Sequence, residues 1–238
     1  MNTLSPNAIP QLSLVVPVYN ESATVLEVVQ KVQSVLCNYA LEVLIVDDGS
    51  NDGTTERLRT MQSGDNVRLI YHETNLGKGA ALRAAFASAK GQVVIVQDAD
   101  LEYDPRDIPR LIQPILDGEA DAVFGSRFYG TTIPAHRLWH RLANYLLTLF
   151  SNSLTNLRLS DMETGYKAFH IDVVQKMVIR ENRFGVEPEL TAKIARLKAR
   201  VHEVPISYHA RDYAAGKKIG FRDALRAVWC IVRYRFAD

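Results

Sequence analysis

The chain has 238 residues, a formal net charge of +1, and 47% apolar and 23% charged residues. This length and apolar content fit one large α/β domain with a sizeable core. A net charge so close to zero provides no overall field for nucleic acid, which is therefore not expected as a partner. The sequence holds no run of roughly 18 apolar residues, the length that a membrane-spanning helix needs.

The two cysteines and the first residues bear on the compartment. Cys37 and Cys230 lie inside apolar helical patterns, and we interpret both as reduced core residues. The opening MNTLSPNAIPQ has neither the basic nor the apolar region of a secretory signal. We therefore expect a cytoplasmic protein, either free or peripheral on the cytoplasmic face of a membrane.

Short apolar strands alternate with helical segments in the first half of the chain. The predicted strands are residues 12–19, 41–48, 67–72, the VVIV segment before QDAD, and 121–127. The predicted helices follow Glu21, begin after a cap at Asn51 or Asp52, and cover 77–90 and Ile108–Leu116. This alternation predicts an α/β fold with a mainly parallel sheet and helices on both faces.

The second half shows longer helical patterns. Residues 134–157 predict amphipathic helices with one leucine-rich stripe and one polar stripe. The leucine stripe contains Leu138, Leu142, Leu146, Leu149 and Leu157, and the polar stripe contains Arg137, Arg141, Asn144, Thr148 and Asn152. Further along, ETGYKAFH and VHEVPISYH predict strands, GVEPELTAKIARLKAR predicts a helix, and Phe221–Phe236 predicts a last helix.

Polar groups follow three of the predicted strands: Asp47–Asp48, Asp98–Ala99–Asp100 and Ser126–Arg127. In open α/β sheets, ligands bind beyond the carboxyl ends of the strands. We therefore expect these groups to converge on one crevice.

The segment VIVQDADLEYDP places Asp98 and Asp100 directly after a buried strand. Two carboxylates one residue apart point to the same side and can share a hard cation such as Mg²⁺ or Mn²⁺, which bridges carboxylates to a diphosphate. A solvated acidic loop is the alternative, but the position at a strand end favours a metal site.

Three other turns are candidates for binding a nucleotide. In LIVDDGSNDGT, Asp47 or Asp48 can accept hydrogen bonds from a base or ribose, although a polar turn with a helix cap is the alternative. In VVPVYNE, Pro17 ends the strand, Tyr19 can flank a base and Glu21 can bond to it, unless Asn20 or Ser22 simply caps a helix. In NLGKGAA, Lys78 can meet a diphosphate, although a plain helix start is equally compatible.

Basic residues predicted to lie in loops or at strand ends are candidates for binding phosphate: Arg127, Arg211, Lys217 and Lys218. Ordinary surface charge is the alternative. The last helix groups Arg222, Arg226 and Arg233 on one side, which fits a membrane surface or a lipid phosphate as well as a solvated face over a packed helix.

These segments, in this order, resemble the family-2 glycosyltransferases of GT-A (Rossmann-like) fold over about residues 11–236. The narrower resemblance is to the dolichyl- and polyprenyl-phosphate hexosyltransferases, through DADLEYDP, GSRF, DMETGYKAF and GKKIGFRDALRAVWCIVRYRF. It implies that Pro17, Tyr19, Glu21 and Asp48 hold the nucleotide, that Asp98 and Asp100 hold Mg²⁺ or Mn²⁺ with Glu102 nearby, and that Arg127 faces the reacting phosphates. Glutamine is usual at position 102 in the mannosyl enzymes of this group, whereas this chain has glutamate.

From these patterns we expect residues 1–238 to form one catalytic domain, with 1–127 binding the nucleotide sugar and 128–238 binding the acceptor. The expected reaction is inverting transfer of a hexose from GDP-mannose or UDP-glucose to a polyprenyl or dolichyl phosphate. The expected catalytic residues are Asp100, Arg127, Arg211 and Lys218, with a peripheral membrane surface as a further partner.

Two alternatives remain open. A saccharide hydroxyl as the acceptor would need a carboxylate base, for which Asp161 or Glu163 is the candidate. A nucleotide-sugar-binding subunit without turnover is the other. A phosphate acceptor needs no base. The phosphate-acceptor hypothesis therefore predicts that Asp161→Asn and Glu163→Gln lower activity less than Arg127→Ala does.

Overall fold

The structure is a computed structural model that describes residues 11–61, 66–128, 138–209 and 221–237. Its strands are β1 (Leu12–Val18), β2 (Leu41–Asp47), β3 (Val67–Tyr71), β4 (Val93–Val96), β5 (Ala122–Ser126), β6 (Lys167–His170) and β7 (Val201–Pro205). Its helices are α1 (Val25–Val35), α2 (Thr54–Thr60), α3 (Lys78–Phe86), α4 (Ile108–Leu116), α5 (Leu138–Thr155), α6 (Ile171–Lys176), α7 (Val186–Arg196) and α8 (Phe221–Phe236). A short 3₁₀ helix, Pro105–Asp107, precedes α4.

The strands form one sheet in the order β3-β2-β1-β4-β6-β5-β7. β6 is antiparallel to β4 and β5, and the remaining ladders are parallel. Six strands therefore point the same way, and their carboxyl ends share one edge. The prediction of a mainly parallel α/β sheet is confirmed.

Apolar residues cover both faces of this sheet because side chains alternate along each strand. Along β1, Leu14 and Val16 join the cluster formed with α1 and α4, whereas Val15 joins the cluster formed with α3 and α7. Both clusters contain β-branched and leucine side chains with no exposed surface. The two helical layers fix the sheet, so that the loops at its carboxyl edge are held from both sides.

Several local predictions differ from the structure. Pro17 does not end the first strand, because β1 continues to Val18 and Pro17 pairs with Val46. The cap residue of α2 is Gly53 rather than Asn51 or Asp52, although the Asp52 carboxylate accepts a hydrogen bond from the Thr54 amide.

Other predictions of caps and core residues also need correction. Thr24, not Asn20 or Ser22, is the cap residue of α1. Cys230 is buried as predicted, but Cys37 is exposed just beyond α1, so its assignment to the core is wrong.

Helix α8 is fastened to the body of the protein through one buried carboxylate. Glu181 is 6% exposed and accepts hydrogen bonds from Arg226 at 2.7 Å and from the Tyr234 hydroxyl at 2.8 Å. α8 packs against α7 and α5, and α5 also packs against α7. Within the described residues, no helix combines the length and the apolar character needed to cross a bilayer.

Candidate active site

The carboxyl edge of the sheet brings together the polar turns that follow β1, β2, β4 and β5. The first two turns are bonded to each other: the Asn20 amide donates to Ser50 Oγ and the Glu21 amide donates to Thr54 Oγ1. Thr24 Oγ1 lies 2.7 Å from the Ala99 carbonyl oxygen and 2.9 Å from Glu21 Oε2. Glu21 is thereby placed beside the Asp98–Asp100 turn.

Asp48 organises the loop that leads into α3. Its carboxylate accepts hydrogen bonds from the Leu76 amide at 3.0 Å and the Gly77 amide at 2.6 Å, and its Oδ1 lies 2.7 Å from His72 Nδ1. Gly77 has φ +104°, a backbone conformation that side chains other than glycine rarely adopt. The Asp48 carboxylate therefore shapes the loop that carries Lys78.

Asp47 is also committed within the protein. It is 2% exposed, and its two oxygens accept from the Ser50 amide and the Thr55 hydroxyl. Tyr19, by contrast, is 38% exposed at the end of β1, where its ring is accessible to a flat ligand. Of this group, Tyr19 and Glu21 offer the more accessible surface, whereas Asp47 and Asp48 hold the turns in place.

Lys78 joins the two halves of the chain. Its Nζ lies 2.8 Å from Asp98 Oδ1, after β4, and 3.1 Å from Glu187 Oε1, in the first turn of α7. Glu187 also accepts a hydrogen bond from the buried Lys167 ammonium of β6. Two ammonium groups and two carboxylates thus form one continuous cluster beneath the Asp98–Asp100 turn.

The charges in this cluster compensate for the cost of burial. Burial alone would lower the pKa of Lys78, but the neighbouring Asp98 and Glu187 raise that pKa above its ordinary value. Burial alone would raise the pKa of Glu187, but Lys167 and Lys78 lower it. Both groups therefore carry their charge at neutral pH.

The turn after β4 has an unusual backbone. Leu101, between Asp100 and Glu102, has φ +59°, which is uncommon for a leucine and costs conformational energy. The Glu102 amide donates to Asp100 Oδ1, and Glu102 Oε2 accepts from the Tyr208 hydroxyl at 2.8 Å. The turn is thus held both internally and by the segment after β7.

Arg127, at the end of β5, forms a two-pronged ion pair with Asp161. Its Nε and one terminal nitrogen each lie 2.7 Å from a different Asp161 oxygen, and its guanidinium stands 5.3 Å from the centre of the Tyr208 ring. Asp161 is fully buried and also accepts from Asn144 of α5 at 2.8 Å. Burial would raise the pKa of Asp161, but Arg127 lowers it, so the carboxylate stays charged.

This pairing changes how substitutions at Asp161 are to be interpreted. Because Asp161 fixes the Arg127 guanidinium, Asp161→Asn would also misplace Arg127, and the comparison with Arg127→Ala does not separate a phosphate acceptor from a hydroxyl acceptor. Asp161 is a positioning partner here, which leaves Glu163 as the one candidate base of the pair. Arg211, Lys217 and Lys218 lie outside the described residues.

The loop 160–166 connects the two ends of the site. Its Asp161 contacts Arg127, and its Gly165 lies against Asp98, where an added Cβ would collide with the Asp98 carboxylate and approach Lys78 Nζ at 2.9 Å. The Gly165 amide donates to the Tyr103 hydroxyl at 2.8 Å. Only glycine leaves room at this point, which explains its place in DMETGYK.

Asp98 and Asp100 suit a hard divalent cation. Mg²⁺ typically takes one or two carboxylates and completes its shell with water and substrate phosphates. No group of three or more metal-binding His, Cys, Asp or Glu side chains occurs within the described residues.

Several residues of the site escaped prediction from the sequence: Glu187, Lys167, Tyr103, Tyr208, Asn144 and His72. They act through contacts between distant segments, and Glu187 and Lys167 read as ordinary charged positions in helical and strand patterns. One signal was present in the sequence: Lys167 follows Gly165–Tyr166 inside a predicted strand, where a charged residue needs a partner.

Glu163 supplies a pH-dependent test of this geometry. Burial, reinforced by Glu187, raises the pKa of Glu163 to about 7. A carboxyl group with a raised pKa stabilises the fold below its ordinary pKa, and this stability is lost as the pH rises from about 4.5 through about 7. Glu163→Gln should therefore be more stable than the parent protein at pH 8 by on the order of 1–3 kcal/mol, and no more stable at pH 4.5. Urea unfolding at the two pH values measures the difference, and a pH-independent effect would contradict the assignment.

Several known proteins are similar to this chain over most of its length. One relative is a dodecaprenyl-phosphate galacturonate synthase of Rhizobium johnstonii, 28% identical over 87% of this chain and 61% of its own length. Another is an undecaprenyl-phosphate mannosyltransferase of Micrococcus luteus, 28% identical over 87% of this chain and 86% of its own length. The chain thus spans 61% of the first of these relatives.

Solved structures show the same fold at low sequence identity. Glucosyl-3-phosphoglycerate synthase of Mycobacterium tuberculosis, in complex with Mn²⁺, UDP and phosphoglyceric acid, superimposes with a TM-score of 0.71 at 21% identity, covering 98% of this chain and 81% of the other. The same enzyme has also been crystallised with Mg²⁺ and UDP. Residues 13–181 match the sequence profile of Glycosyl transferase family 2. This chain belongs to glycosyltransferase family 2.

Proposed function

We propose that this protein transfers a hexose from a nucleoside-diphosphate sugar to a polyprenyl phosphate, with inversion at the anomeric carbon. The observation that supports this most strongly is the Arg127–Asp161 pair, which holds a guanidinium at the edge that also carries Asp98 and Asp100. One end of the site suits a cation and the other suits an anion, as a reaction between a metal-bound diphosphate and a phosphate requires. The similarity to polyprenyl-phosphate sugar transferases supports the same acceptor.

The donor is assigned to the half formed by residues 1–127. Tyr19 and Glu21 would contact the nucleotide, with Pro17 beneath them in β1, while Asp47 and Asp48 keep the turns in shape. Asp98 and Asp100 would hold Mg²⁺ or Mn²⁺, and this ion would neutralise the diphosphate as it leaves. Lys78, already beside Asp98, would add a positive charge next to the same diphosphate.

The acceptor is assigned to the half formed by residues 128–238. A groove of about 550 Å³ runs along α5 and is lined mainly by apolar side chains, with Ser160 next to the Arg127 partner Asp161. Its lining includes Phe128, Arg141, Leu142, Tyr145 and Leu149. An isoprenoid chain would occupy this groove with its phosphate towards Arg127, helped by Arg211 and Lys218.

In the reaction, an acceptor phosphate oxygen attacks the anomeric carbon from the side opposite the diphosphate. The bond between that carbon and the diphosphate oxygen breaks, and its electron pair leaves with the diphosphate. A phosphate monoester has its second pKa near ~6 and is largely dianionic at neutral pH, so no base is needed. Arg127 offsets the repulsion between the two anions and fixes the direction of the attacking oxygen.

The hydroxyl-acceptor alternative is supported by one observation, the pKa of about 7 at Glu163, which suits a general base. A polyprenyl acceptor is favoured because most of the surface of the groove beside Arg127 is apolar, which suits an isoprenoid chain better than a saccharide. The names of the two relatives refer to different sugars, galacturonate and mannose, so they do not identify one donor. GDP-mannose and UDP-glucose are the two donors proposed for this protein.

Helix α5 has its polarity reversed relative to that of a helix in a soluble surface. Its buried positions are polar, Thr148, Ser151 and Thr155, and its exposed positions are mostly apolar, with Arg141 and Ser153 as the polar ones. Those exposed side chains are Leu142, Tyr145, Leu146, Leu149 and Phe150. A contiguous exposed apolar face of this kind marks an interaction surface, here proposed to be a lipid bilayer.

Helix α8 continues that surface. Trp229 is 43% exposed and lies between two arginines, with the Arg226 guanidinium 4.1 Å and the Arg233 guanidinium 5.3 Å from its ring. Leu225, Val228, Val232 and Phe236 are also exposed on this helix. Tryptophan beside cationic groups suits the headgroup region of an anionic membrane. We therefore propose a peripheral location on the cytoplasmic face of a membrane.

The proposed reaction predicts that charge alone is not enough at position 127. Arg127→Lys should lower the rate of transfer from UDP-glucose or GDP-mannose to a short polyprenyl phosphate by about a hundredfold, because lysine lacks the two-pronged geometry. Arg200→Lys is the matched control, since Arg200 forms a similar pair with Asp121 at an exposed site. Comparable activity of the two variants would argue against the role of Arg127, and transfer to a sugar hydroxyl alone would support the alternative acceptor.

The metal site predicts a change in binding as well as in rate. Asp100→Asn should lower transfer by about a hundredfold or more and should abolish the increase in UDP or GDP affinity that Mn²⁺ causes. Calorimetric titration of the nucleoside diphosphate, with and without Mn²⁺, measures this without relying on activity. Asp117→Asn, at an exposed aspartate after α4, is the control. Full activity in excess EDTA would rule out the cation.

The membrane surface predicts binding to anionic vesicles. The double variant Leu146→Glu/Phe150→Glu should reduce the fraction recovered by flotation with phosphatidylglycerol vesicles about tenfold, because it removes apolar contact and adds negative charge. Gln30→Glu/Ser34→Glu on α1 makes the same change in net charge at exposed polar positions. High salt should weaken binding of the parent protein. If the α5 variant and the α1 control float alike, the surface has another purpose.

A further inference from the structure

Loop 160–166 spans the part of the site in which the proposed reaction would place the transferred sugar. The sugar is attached to the diphosphate at one end and is attacked by the acceptor at the other, so it lies between the Asp98 and Arg127 ends of the site. Asp161 contacts Arg127 and Gly165 lies against Asp98. Glu163 is the residue midway between them.

The Glu163 carboxyl group has an unsatisfied oxygen. Its Oε1 is buried and accepts no hydrogen bond from the part of the chain that the structure describes. It is the one such buried side-chain atom among those residues. Leaving a buried polar atom without a partner is costly, and native structures usually provide one, often from a ligand or water. The atom therefore indicates where an O–H or N–H group of a ligand belongs.

The neighbouring charges do not supply that partner. Lys78 is shared by Asp98 and Glu187, Lys167 bonds Glu187 and the Thr164 carbonyl, and Arg127 is matched by Asp161. The three cations are thus balanced by three carboxylates, and Glu163 is the surplus acid of this set. A ligand hydroxyl can donate to it, whereas a further carboxylate would be repelled.

We infer that Glu163 determines donor specificity by accepting a hydrogen bond from a hydroxyl group of the transferred sugar, and that the site takes a neutral hexose in preference to a uronic acid. This inference rests on the proposed function, because it needs a nucleotide sugar at the Asp98–Asp100 turn. At pH 8, above its pKa of about 7, Glu163 is mostly ionised and accepts hydrogen bonds only, so the affinities below are measured at that pH. A sugar hydroxyl bound to the carboxylate also holds the anomeric carbon in line with Arg127.

The test separates binding of the sugar from binding of the nucleotide. Calorimetry with Mg²⁺ measures affinities for UDP, UDP-glucose, GDP and GDP-mannose in the parent protein, Glu163→Ala and Glu163→Gln. A hydrogen bond to a charged group corresponds to about tenfold or more in affinity. Glu163→Ala should therefore lower the affinity for the preferred nucleotide sugar about tenfold. Its affinity for the matching nucleoside diphosphate should stay as in the parent protein. In both variants, the affinity for UDP-glucuronic acid should rise relative to the affinity for UDP-glucose.

A structural control uses the same loop. Glu203 of β7 accepts from the Ser160 and Asp161 amides and supports the loop from the side of the sheet. Glu203→Gln should lower the unfolding temperature but leave the ratio of the two affinities as in the parent protein. If Glu163→Ala lowers the affinities for the nucleotide sugar and for the nucleoside diphosphate equally, the role of Glu163 is structural and the inference is wrong.

Two further outcomes separate this inference from the proposed function. In the first, Glu163→Ala keeps full affinity for the nucleotide sugar and lowers only the turnover number. This result would overturn the inference and identify Glu163 as a base. Transfer to polyprenyl phosphate is measured separately with the parent protein. If no transfer occurs but the affinity for the nucleotide sugar still depends on Glu163, the proposed acceptor is wrong and the inference stands.

Discussion

The site depends on one ammonium group, that of Lys78, which lies between Asp98 after β4 and Glu187 in α7. These residues come from three distant parts of the chain, and their charges bring the Asp98–Asp100 turn, the loop before α3 and the start of α7 to one point. Burying a single charge is expensive, and the interaction is favourable only because each charge has a partner. Removing Lys78 would leave the Asp98 carboxylate without this partner, whereas Glu187 would keep its pair with Lys167.

The same segment connects this cluster to the surface helices. The backbone carbonyls of Glu181 and Asn182 lie against Gly79 and Gly77 of the Lys78 loop, where any side chain would collide. The Glu181 side chain, on the other hand, bonds Arg226 and Tyr234 of α8. A shift of α8 would therefore change the position of the backbone that supports Lys78. The segment that begins at Glu181 and Asn182 therefore contacts both the proposed lipid-binding helix and the loop of the proposed diphosphate site.

Much of the fold could be predicted because it follows from local patterns. β1, β2 and β4 are apolar β-branched runs that end in polar turns, and α8 has the predicted bounds Phe221–Phe236. Parallel strands bring their carboxyl ends to one edge, which accounts for the correct placement of Asp98, Asp100 and Arg127. The partners of these residues could not be predicted, since the contacts of Arg127 with Asp161, Glu102 with Tyr208 and Lys78 with Glu187 join segments far apart in sequence. Cys37 was misplaced because helical periodicity does not show where α1 ends.

Helix α5 shows why polarity alone does not reveal which face of a helix is buried. Its two stripes were visible in the sequence, and the usual rule would place the leucines inside. The structure instead buries Thr148, whose hydroxyl accepts a hydrogen bond from the Met162 amide, and directs Asn144 to Asp161. The polar stripe is needed inside because loop 160–166 carries backbone amides and a carboxylate that require partners. Once those polar residues face inward, helical geometry sends the leucines outward, so the demand for hydrogen bonds at the active-site loop is what creates the apolar surface. The polar side of α5 thus supports loop 160–166, while its apolar side forms both the proposed acceptor groove and the proposed membrane face.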